Sequence, residues 1–589
     1  MVALLSRDRN VTNSDVSKAL LDCSRAFWGV ALFSAVVNIL MLSGPLYMLQ
    51  IYDRVLASRS VPTLVALTLF LIAAYGFQGV LDLIRSRVVV KAAALFDERL
   101  SGSIHRAVIM IGTRSNSASE AHQPVRDLDQ VRAFMTSAGP TAIADMPWVP
   151  IFLAICFLIH PWIGYLSFVC AAILLLLTIQ TERASRRFVA SVNESAGRRT
   201  AMMEADRRNH ATVVSMGMVG ALSERWRRVN ENYVATVGRS TDVVNSYSGV
   251  IKVLRLLMQS AILGLGAYLV IRQQMTAGAM IAASIMMGRA LAPIEIAIAN
   301  WRGFVAARDG ARRLSHTLSR IPVDRGATEL PKPVTSLIVE HVTVAAPGAT
   351  SAIVANVNFQ LSAGEVLGVI GPNGSGKSSL TRVLSGIWPP ARGTVRLDGA
   401  ALDQWDTDAR GQHIGYVSQI VELFPGTVAE NIARMASEVD SAAVVRAAQI
   451  AGAHDMILRL PQGYDTMIGD SGEGLSVGQR QRIAFARAVY GDPFLVMLDE
   501  PSANLDGDGE TALQDTIRRL KARRAVVIIV VHRRSALITC DKVLMLLNGA
   551  QRAFGPRDEV LRQIGETPVA QPMTANLKIV GEAPAKEQR

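Results

Sequence analysis

Six long apolar runs in the first half of the chain constrain its fold more than any other feature. A segment of roughly 20 mostly apolar residues crosses a bilayer as a helix, because its backbone must satisfy its own hydrogen bonds there. Only 19% of the 589 residues are charged, below the roughly 25% of soluble proteins. We therefore predict an all-α transmembrane domain of six helices, at about 27–49, 62–84, 141–160, 162–181, 247–271 and 277–300.

The positive charge of the chain follows this membrane topology. The net charge of +12 would suit nucleic acid, but the arginines crowd two long loops, 85–140 and 182–246, as in TERASRRF and SERWRRVNENY. Cytoplasmic loops carry such an excess of basic residues. We therefore expect both termini and the long loops inside the cell, short links outside, and no nucleic-acid partner. The long loops are expected to continue the membrane helices into the cytoplasm.

Composition shifts divide the chain into five segments. Prolines, glycine and charges break all periodicity in RIPVDRGATELPKPVTS, which is typical of a linker. Short β-branched strands alternating with helices follow and predict an α/β domain. The expected segments are a cytoplasmic N-terminus at 1–26, the transmembrane domain at 27–319, the linker at 320–336, the α/β domain at 337–565 and a disordered tail at 566–589.

A glycine-rich loop opens the chemistry of the α/β domain. The apolar strand Val366–Ile370 runs into GPNGSGKS and then into a helix, which is the phosphate-loop motif in its required context. Backbone N–H groups at such a helix start surround phosphates. A lysine there provides charge for the β- and γ-phosphates, and the following serine hydroxyl binds Mg²⁺. The predicted nucleotide-binding residues are Gly371, Pro372, Asn373, Gly374, Ser375, Gly376, Lys377, Ser378 and Ser379.

An acidic pair follows a second buried strand. FLVML at 494–498 is wholly apolar and ends in Asp499 and Glu500. Ligands of α/β sheets bind beyond the carboxyl ends of the strands, so these carboxylates should face the nucleotide. We predict that Asp499 binds Mg²⁺ and that Glu500 is the general base for the attacking water.

The order of further motifs resembles the ATP-binding cassette family over residues 337–560. LSVGQRQR at 475–482 resembles the family signature, and IGDSGEG at 468–474 resembles its segment facing the membrane domain. The resemblance implies ATP and Mg²⁺, with two ATP molecules sandwiched in a head-to-tail homodimer. It also implies site roles for Gln419 (catalysis and metal), Ser476, Gly478 and Gln479 (nucleotide of the partner chain), Asp506 in SANLD, and His532 as the switch histidine.

Two departures from the family pattern concern the nucleotide. Val477 replaces the first glycine of LSGGQ, so we expect activity with altered nucleotide affinity. The aromatic residue that stacks on adenine in this family should fall in VEHVTVAAPG, where Ala345 and Ala346 stand instead. Weak selectivity for the base is expected.

The membrane half is similar to type I secretion permease/ATPases, a resemblance that spans 20–565. SGPLYMLQIYDRVLASRSVPTL at 43–64 resembles the first hairpin of that family, and 277–314 resembles its last membrane helix. No peptidase-sized segment precedes the first apolar run, as in the branch that secretes proteases, lipases or surface-layer proteins. The resemblance implies a type I exporter fold in the bacterial inner membrane and export of an unfolded polypeptide with an uncleaved C-terminal signal. The implied partners are a periplasmic adaptor, an outer-membrane channel and membrane lipid.

Other functions remain as alternatives. A lipid or drug exporter half-transporter shares the same six helices and cassette. A non-transporting ATPase or gated channel is disfavoured by the presence of Glu500, and a soluble DNA-repair ATPase would lack the apolar half.

Charged residues in the last two apolar runs define a hypothetical translocation path. Arg289 and Glu295 lie on the sixth run, and Lys252 and Arg255 lie near the start of the fifth. Such residues face protein or water because a charge at mid-membrane costs roughly 2.5–3.5 kcal/mol. Either they form a cationic lining for an acidic cargo, or Arg289 pairs with Glu295 or Asp145 and locks helices together. Lys252 has the further alternative of reaching the cytoplasmic interface.

Overall fold

The structure is a computed structural model that describes residues 15–114, 123–319, 330–349, 351–469, 472–502, 507–531 and 534–566. The chain divides into two compact units, Met1–Val323 and Asp324–Arg589. Most of the expected linker at 320–336, the N-terminal residues 1–14 and the tail from residue 567 lie outside the described residues.

The first unit is helical throughout its described part. Its three longest helices contain 54, 48 and 53 residues, at Val61–Arg114, Pro161–Arg208 and Val219–Ile271. A 54-residue helix is about 80 Å long, more than twice the ~30 Å hydrocarbon layer, so much of it lies outside the membrane. The predicted helical extension of the long loops is confirmed. The helices are α1 Asp15–Asp22, α2 Ser24–Leu40, α3 Ser43–Gln50, α4 Leu56–Ser58, α5 Val61–Arg114, α6 Gln123–Met135, α7 Gly139–Asp145, α8 Val149–Ile159, α9 Pro161–Arg208, α10 His210–Ser215, α11 Val219–Ile271, α12 Ala277–Ala299 and α13 Trp301–Ser319.

Within the described residues, six helical segments are long and apolar enough to span a membrane. Two of the predicted runs are interrupted in backbone geometry. The first breaks between α2 and α3 and ends in a π-helical turn, Ile51–Val55. The third passes through a 3₁₀ turn, Met146–Trp148, between α7 and α8. Pro147 and Pro150 lie at that break, where each removes a backbone N–H donor.

A compact core holds the polar ends of these helices together. Helix α1 buries one face, including Val16 and Leu20, against Phe96 and Leu100 of α5 and Leu314 of α13. Its sequence DVSKALLD has the apolar spacing of an amphipathic helix. Residues 15–22 of the expected N-terminal segment therefore pack as part of the helical unit.

The second unit is built on a ten-stranded sheet with the order β5-β4-β1-β2-β12-β11-β3-β10-β9-β6. Strands β11, β3, β10, β9 and β6 run parallel, and β1 pairs antiparallel with β2 and β4. The strands are β1 Ser336–Ala345, β2 Ala352–Ser362, β3 Val366–Ile370, β4 Arg392–Leu397, β5 Ala400–Ala401, β6 Ile414–Val417, β7 Gly426–Thr427, β8 Met467–Ile468, β9 Leu495–Asp499, β10 Val526–Val530, β11 Lys542–Leu547 and β12 Ala550–Pro556.

Helices cover both faces of this sheet. Every residue of β9 and β10 is buried, as expected for central parallel strands whose sequences are continuous apolar runs. The predicted α/β domain is confirmed. Its helices are α14 Lys377–Leu384, α15 Thr407–His413, α16 Val428–Ile432, α17 Ser441–Ile450, α18 His454–Leu458, α19 Val477–Val489, α20 Gly507–Ala522 and α21 Arg557–Glu566.

Candidate functional site

The loop between β3 and α14 needs glycine at two closely packed positions. Gly371 has φ +153° and Gly376 has φ +93°. A Cβ at Gly371 would lie 2.3 Å from the Leu546 carbonyl oxygen, and one at Gly376 would lie 2.2 Å from Val354 Cγ2. Both the backbone geometry and the space exclude a side chain, so the loop closes tightly over the start of α14.

Lys377 begins α14 with its side chain folded into the loop. The residue is 5% exposed, and its Nζ donates to the carbonyl oxygens of Gly371 at 2.9 Å and Pro372 at 3.0 Å. Burial lowers the pKa of the Lys377 ammonium, while Glu500 and Asp499 raise it in part. The neighbouring Ser375 hydroxyl is buried and has no hydrogen-bond partner among the residues that the structure describes. Ser379 follows in the first turn, and Asn373 and Gly374 are exposed at the loop tip.

Strand order brings Ser378 and Asp499 together. Strand β9 lies two positions from β3, with β10 between them, so its carboxyl end reaches the phosphate loop. The Ser378 Oγ donates to Asp499 Oδ1 at 3.2 Å. Asp499 is 3% exposed. Burial raises the pKa of the Asp499 carboxyl, with Glu500 adding to the increase and Ser378 opposing it.

Gln419 and Glu500 meet one strand further along the sheet. Gln419 follows β6, the neighbour of β9, and its Nε2 donates to Glu500 Oε2 at 3.0 Å. Glu500 has φ +51°, a left-handed conformation that costs a residue with a Cβ roughly 1–2 kcal/mol. The structure thus gathers Lys377, Ser378, Asp499, Glu500 and Gln419 at one edge of the sheet.

The signature residues start a different helix. Ser476 caps α19: its Oγ accepts from the Gln479 backbone N–H at 3.3 Å, and the Gln479 side chain accepts from the Ser476 N–H at 2.8 Å. Ser476 and Val477 are exposed and Gly478 is half-buried. In the part of the chain that the structure describes, no hydrogen bond joins this turn to the phosphate loop.

Two predicted site residues, Asp506 and His532, fall outside the described residues and stay predictions. Ala345 and Ala346, at the end of β1 and just after it, are half-buried.

Sequence reasoning missed three side chains that support this edge. Arg382 of α14 lies 5.0 Å over the Trp388 ring, and its charge lowers the pKa of Tyr416 in part. Burial raises the pKa of Tyr416, and Asp499 raises it further. Gln481 of α19 donates to the Pro501 carbonyl oxygen and so links the signature helix to the residue after Glu500. Tyr416 could have been identified from the sequence, because its hydroxyl is the only polar side-chain group in the otherwise apolar strand IGYV.

In the membrane unit, neither of the two predicted ion pairs, Arg289–Glu295 and Arg289–Asp145, is formed, because both acids have other partners. Glu295 accepts from Arg255 at 2.8 Å, joining α12 to α11. Asp145 accepts from Arg85 at 3.2 Å and from Asn38 at 2.8 Å.

Arg289 therefore has neither predicted partner. Its Nη1 instead lies 3.7 Å from Met41 Sδ, a weak acceptor. Lys252 is exposed. The Arg85–Asp145 pair joins distant parts of the sequence, so no local pattern predicted it.

Comparisons with known proteins match both units. Residues 27–291 match the family "ABC transporter transmembrane region", and residues 354–503 match the family "ABC transporter". A solved structure of a bacterial Atm1-family ABC exporter with ATP bound has the same fold, with a TM-score of 0.81 and 20% identity. The match covers 92% of this chain and 97% of that one. A six-helix membrane unit with this phosphate-loop domain defines an ATP-hydrolysing ABC transporter.

Similarity to individual proteins places the chain in a narrower class of ABC transporters. The chain is 47% identical to the type I secretion system ATP-binding protein PrsD of Rhizobium meliloti, over 98% of this chain and 99% of the relative. It is 30% identical to the cyclolysin secretion/processing ATP-binding protein CyaB of Bordetella pertussis, over 90% of this chain and 75% of the relative. It is 28% identical to the alpha-hemolysin translocation ATP-binding protein HlyB of Escherichia coli O157:H7, with the same coverage. The chain belongs to the type I secretion ATP-binding proteins of the ABC transporter family.

Proposed function

We propose that this chain exports an unfolded polypeptide with an uncleaved C-terminal signal across the bacterial inner membrane. It acts as the homodimeric motor and permease of a type I secretion system, with a periplasmic adaptor and an outer-membrane channel. The observation that carries this proposal is the 47% identity to a type I secretion protein along both units. A lipid or drug exporter is the alternative outcome of the test below.

ATP hydrolysis is assigned to the cluster at the carboxyl edge of the sheet. The loop from Gly371 to Gly376 and the ammonium of Lys377 bind the phosphates. Glu500 accepts a proton from the attacking water, and the Gln419 amide, which already contacts this carboxylate, orients the pair. His532 is assigned to the same reaction from its motif.

The donor set at this edge fits Mg²⁺. Ser378 and Asp499 present a hydroxyl and a carboxylate oxygen 3.2 Å apart, and Gln419 offers an amide oxygen. Mg²⁺ prefers such oxygen ligands. When bound, it neutralises charge on the β- and γ-phosphates. Ser378, Asp499 and Gln419 are therefore the proposed metal residues.

A second copy of the chain is proposed to complete each ATP site. The exposed start of the signature helix carries Ser476, Gly478 and Gln479. Among the described residues, it forms no hydrogen bond with the phosphate loop of its own chain. These residues would meet the nucleotide held by the partner, together with Asp506 beside the dimer contact. Dipoles at a helix N-terminus favour a phosphate group.

Arg289 is proposed as the main cation of the translocation path. Within the described residues its hydrogen-bonding neighbour is the Met41 thioether, and no acid pairs with it. A half-buried cation in a membrane helix without a partner favours an acidic chain passing beside it. Arg255, by contrast, is paired with Glu295 and is assigned to holding α11 and α12 together. Lys252 is exposed and keeps both of its alternative assignments, the path lining and the cytoplasmic interface.

A photo-crosslinking amino acid at position 289 in a Glu500→Gln background tests the proposal. The transporter is expressed in its native cells, irradiated and purified, and crosslinked material is identified by mass spectrometry. A secreted polypeptide is expected. A lipid or drug adduct without polypeptide would contradict polypeptide export. Position 225, an exposed arginine in the cytoplasmic part of α11, is the control site.

A further inference from the structure

The external end of the first membrane span has unusual backbone geometry. With the ATPase unit in the cytoplasm, the link from residue 51 to 60 and the link from 272 to 276 both lie outside. The first link contains the π-helical turn Ile51–Val55 and then Arg59 in a left-handed conformation with φ +50°. π-helical turns are rare and are frequent at functional sites.

Asp53 fastens this link to the start of the sixth membrane helix. Its Oδ2 accepts from Thr276 Oγ1 at 2.6 Å, and its Oδ1 accepts from the Gly278 backbone N–H at 2.9 Å. A Cβ at Gly278 would lie 2.6 Å from the Asp53 carboxylate, so only glycine allows this approach. The carboxylate also lies at a helix N-terminus, where its charge is stabilised. Two links far apart in sequence therefore form one fixed unit.

The two links that Asp53 joins carry three arginines. Arg54, Arg59 and Arg272, which we name the external arginine patch, are all exposed. Asp53 is the sole acid in the two links, and its carboxylate is already used by α12. Among the described residues, none of the three forms an ion pair; Arg272 lies 5.3 Å over the Tyr268 ring.

This distribution opposes the usual charge bias of membrane proteins. Basic residues are enriched in cytoplasmic loops and depleted from short external ones. Three uncompensated arginines on links this short point to an acidic ligand on the external side. An unfolded cargo has no fixed geometry that would require a rigid surface. A folded partner gains from one, because a preorganised surface reduces the entropy lost on binding.

We propose that the external arginine patch is the docking surface for an acidic segment of the periplasmic adaptor. This inference rests on the proposed secretion function. Complementary charge would steer the adaptor to the transporter and fix its register. The Asp53 fastening holds the arginines of both links in one arrangement for that contact.

The test compares two triple variants purified from cells that contain the complete secretion system. One is Arg54→Gln, Arg59→Gln and Arg272→Gln. The matched control is Arg208→Gln, Arg225→Gln and Arg239→Gln, three exposed arginines in the long cytoplasmic helices. Both should keep ATP hydrolysis and thermal stability. Adaptor and anionic lipid recovered with each are quantified by mass spectrometry.

We expect the patch variant to recover at least about tenfold less adaptor than the control, equivalent to about 1.4 kcal/mol. Adaptor recovery with wild type should fall as NaCl rises from about 0.05 to 0.5 M, because salt screens exposed charges. Unchanged adaptor recovery with the patch variant, with or without loss of anionic lipid, would overturn this inference alone. Failure of wild type to recover any adaptor would overturn the proposed secretion function as well.

Discussion

Glu500 illustrates how the ATP site is held in place at the level of single residues. Its backbone lies in a left-handed conformation, and its carboxylate accepts from Gln419 at 3.0 Å. Strain of this kind persists only where surrounding structure fixes it, as at functional sites. Gln481 anchors the next residue, Pro501, from the signature helix. Motions of the signature helix can therefore reach Glu500, the proposed general base, through one residue.

Base selectivity is a second property set by single residues. Ala345 and Ala346 place small side chains where the family has an aromatic residue. Stacking of a base on an aromatic ring contributes roughly 1–3 kcal/mol. We expect GTP and ATP to be hydrolysed with kcat/KM values within about tenfold, and Ala345→Tyr to lower the KM for ATP. Steady-state phosphate release checks both, with Ala349→Tyr as control. A wild-type preference for ATP beyond about a hundredfold would contradict this account.

The motifs predicted residues that the structure brings together at one edge of the sheet, but not the side chains that support them. The phosphate loop, the acidic pair and Gln419 each follow the carboxyl end of a strand that the sequence predicts. Because such ends lie at the same edge of a parallel sheet, these residues were expected to lie close together. Tyr416 and Arg382 act through contacts between different strands and helices, which depend on strand order. No spacing in the sequence encodes that order.

At the level of elements, an ion pair between the buried Asp127 and the half-exposed Arg313 joins α6 to α13. The Asp127 side chain is 2% exposed and accepts from Arg313 Nη2 at 2.6 Å and Nε at 3.0 Å. Gly310 of α13 lies against the Asp127 backbone, so the helices approach closely. Hydrogen bonding to Asp127 raises the pKa of the Arg313 guanidinium.

Arg313→Ala should destabilise the helical unit by about 3 kcal/mol, because it leaves the buried Asp127 carboxylate without its cation, with the Gln123 amide as its remaining side-chain donor. The control is Arg198→Ala, which removes an exposed pair with Glu194 and should cost less than about 1 kcal/mol. Thermal unfolding in detergent, followed by circular dichroism, measures both. Equal midpoints for the two variants would refute a stabilising role for the buried pair.

Asp398 fixes the start of the α/β domain and makes its stability depend on pH. Its carboxylate accepts from the backbone N–H groups of Val334, Thr335 and Ser336 and from the Thr335 hydroxyl. Burial raises the pKa of Asp398, but these hydrogen bonds lower it more, so the net pKa lies below its usual value. A lowered folded-state pKa gives stability that is complete above the unfolded pKa of about 3.9 and is lost as pH falls through the folded pKa.

Asp398→Asn should therefore lower the thermal midpoint by a constant amount from about pH 5 to pH 8, and the difference should shrink only below about pH 4. Differential scanning fluorimetry of the full chain across this range measures it. Asp403→Asn, at an exposed position of the same domain, is the control. A difference that already disappears at about pH 6 would show that another group carries the effect.

The membrane elements show where sequence reasoning stops. Apolar length located all six spans, because a bilayer demands it. Helix rotation was not accessible: Glu295 is six residues from Arg289, yet it faces Arg255 of α11, whereas Arg289 faces Met41. A helix turns 3.6 residues per revolution, so six residues place two side chains on different faces. Hydropathy also did not indicate the helix break at Pro147 and Pro150 or the π-helical turn.

At the level of the whole molecule, each ATP site should need two chains. Lys377→Ala disables the phosphate loop, and Ser476→Arg disables the signature contributed to the partner. Either variant alone should be inactive. Coexpressed equally, they should regain about a quarter of wild-type ATPase, since half the dimers are mixed and each mixed dimer has one intact site. Full inactivity of the mixture would contradict the head-to-tail arrangement. The control is each variant expressed alone, from two copies of the same variant gene.

The most direct test of the central claim, ATP-driven polypeptide export, is the secreted protein content of intact cells. Wild type is compared with Glu500→Gln and with Glu438→Gln, an exposed carboxylate of the same domain, by mass spectrometry of the culture medium. We predict that one or a few polypeptides disappear from the medium and accumulate inside the Glu500→Gln cells alone. An unchanged set of secreted proteins, with loss of lipid or drug efflux instead, would contradict it.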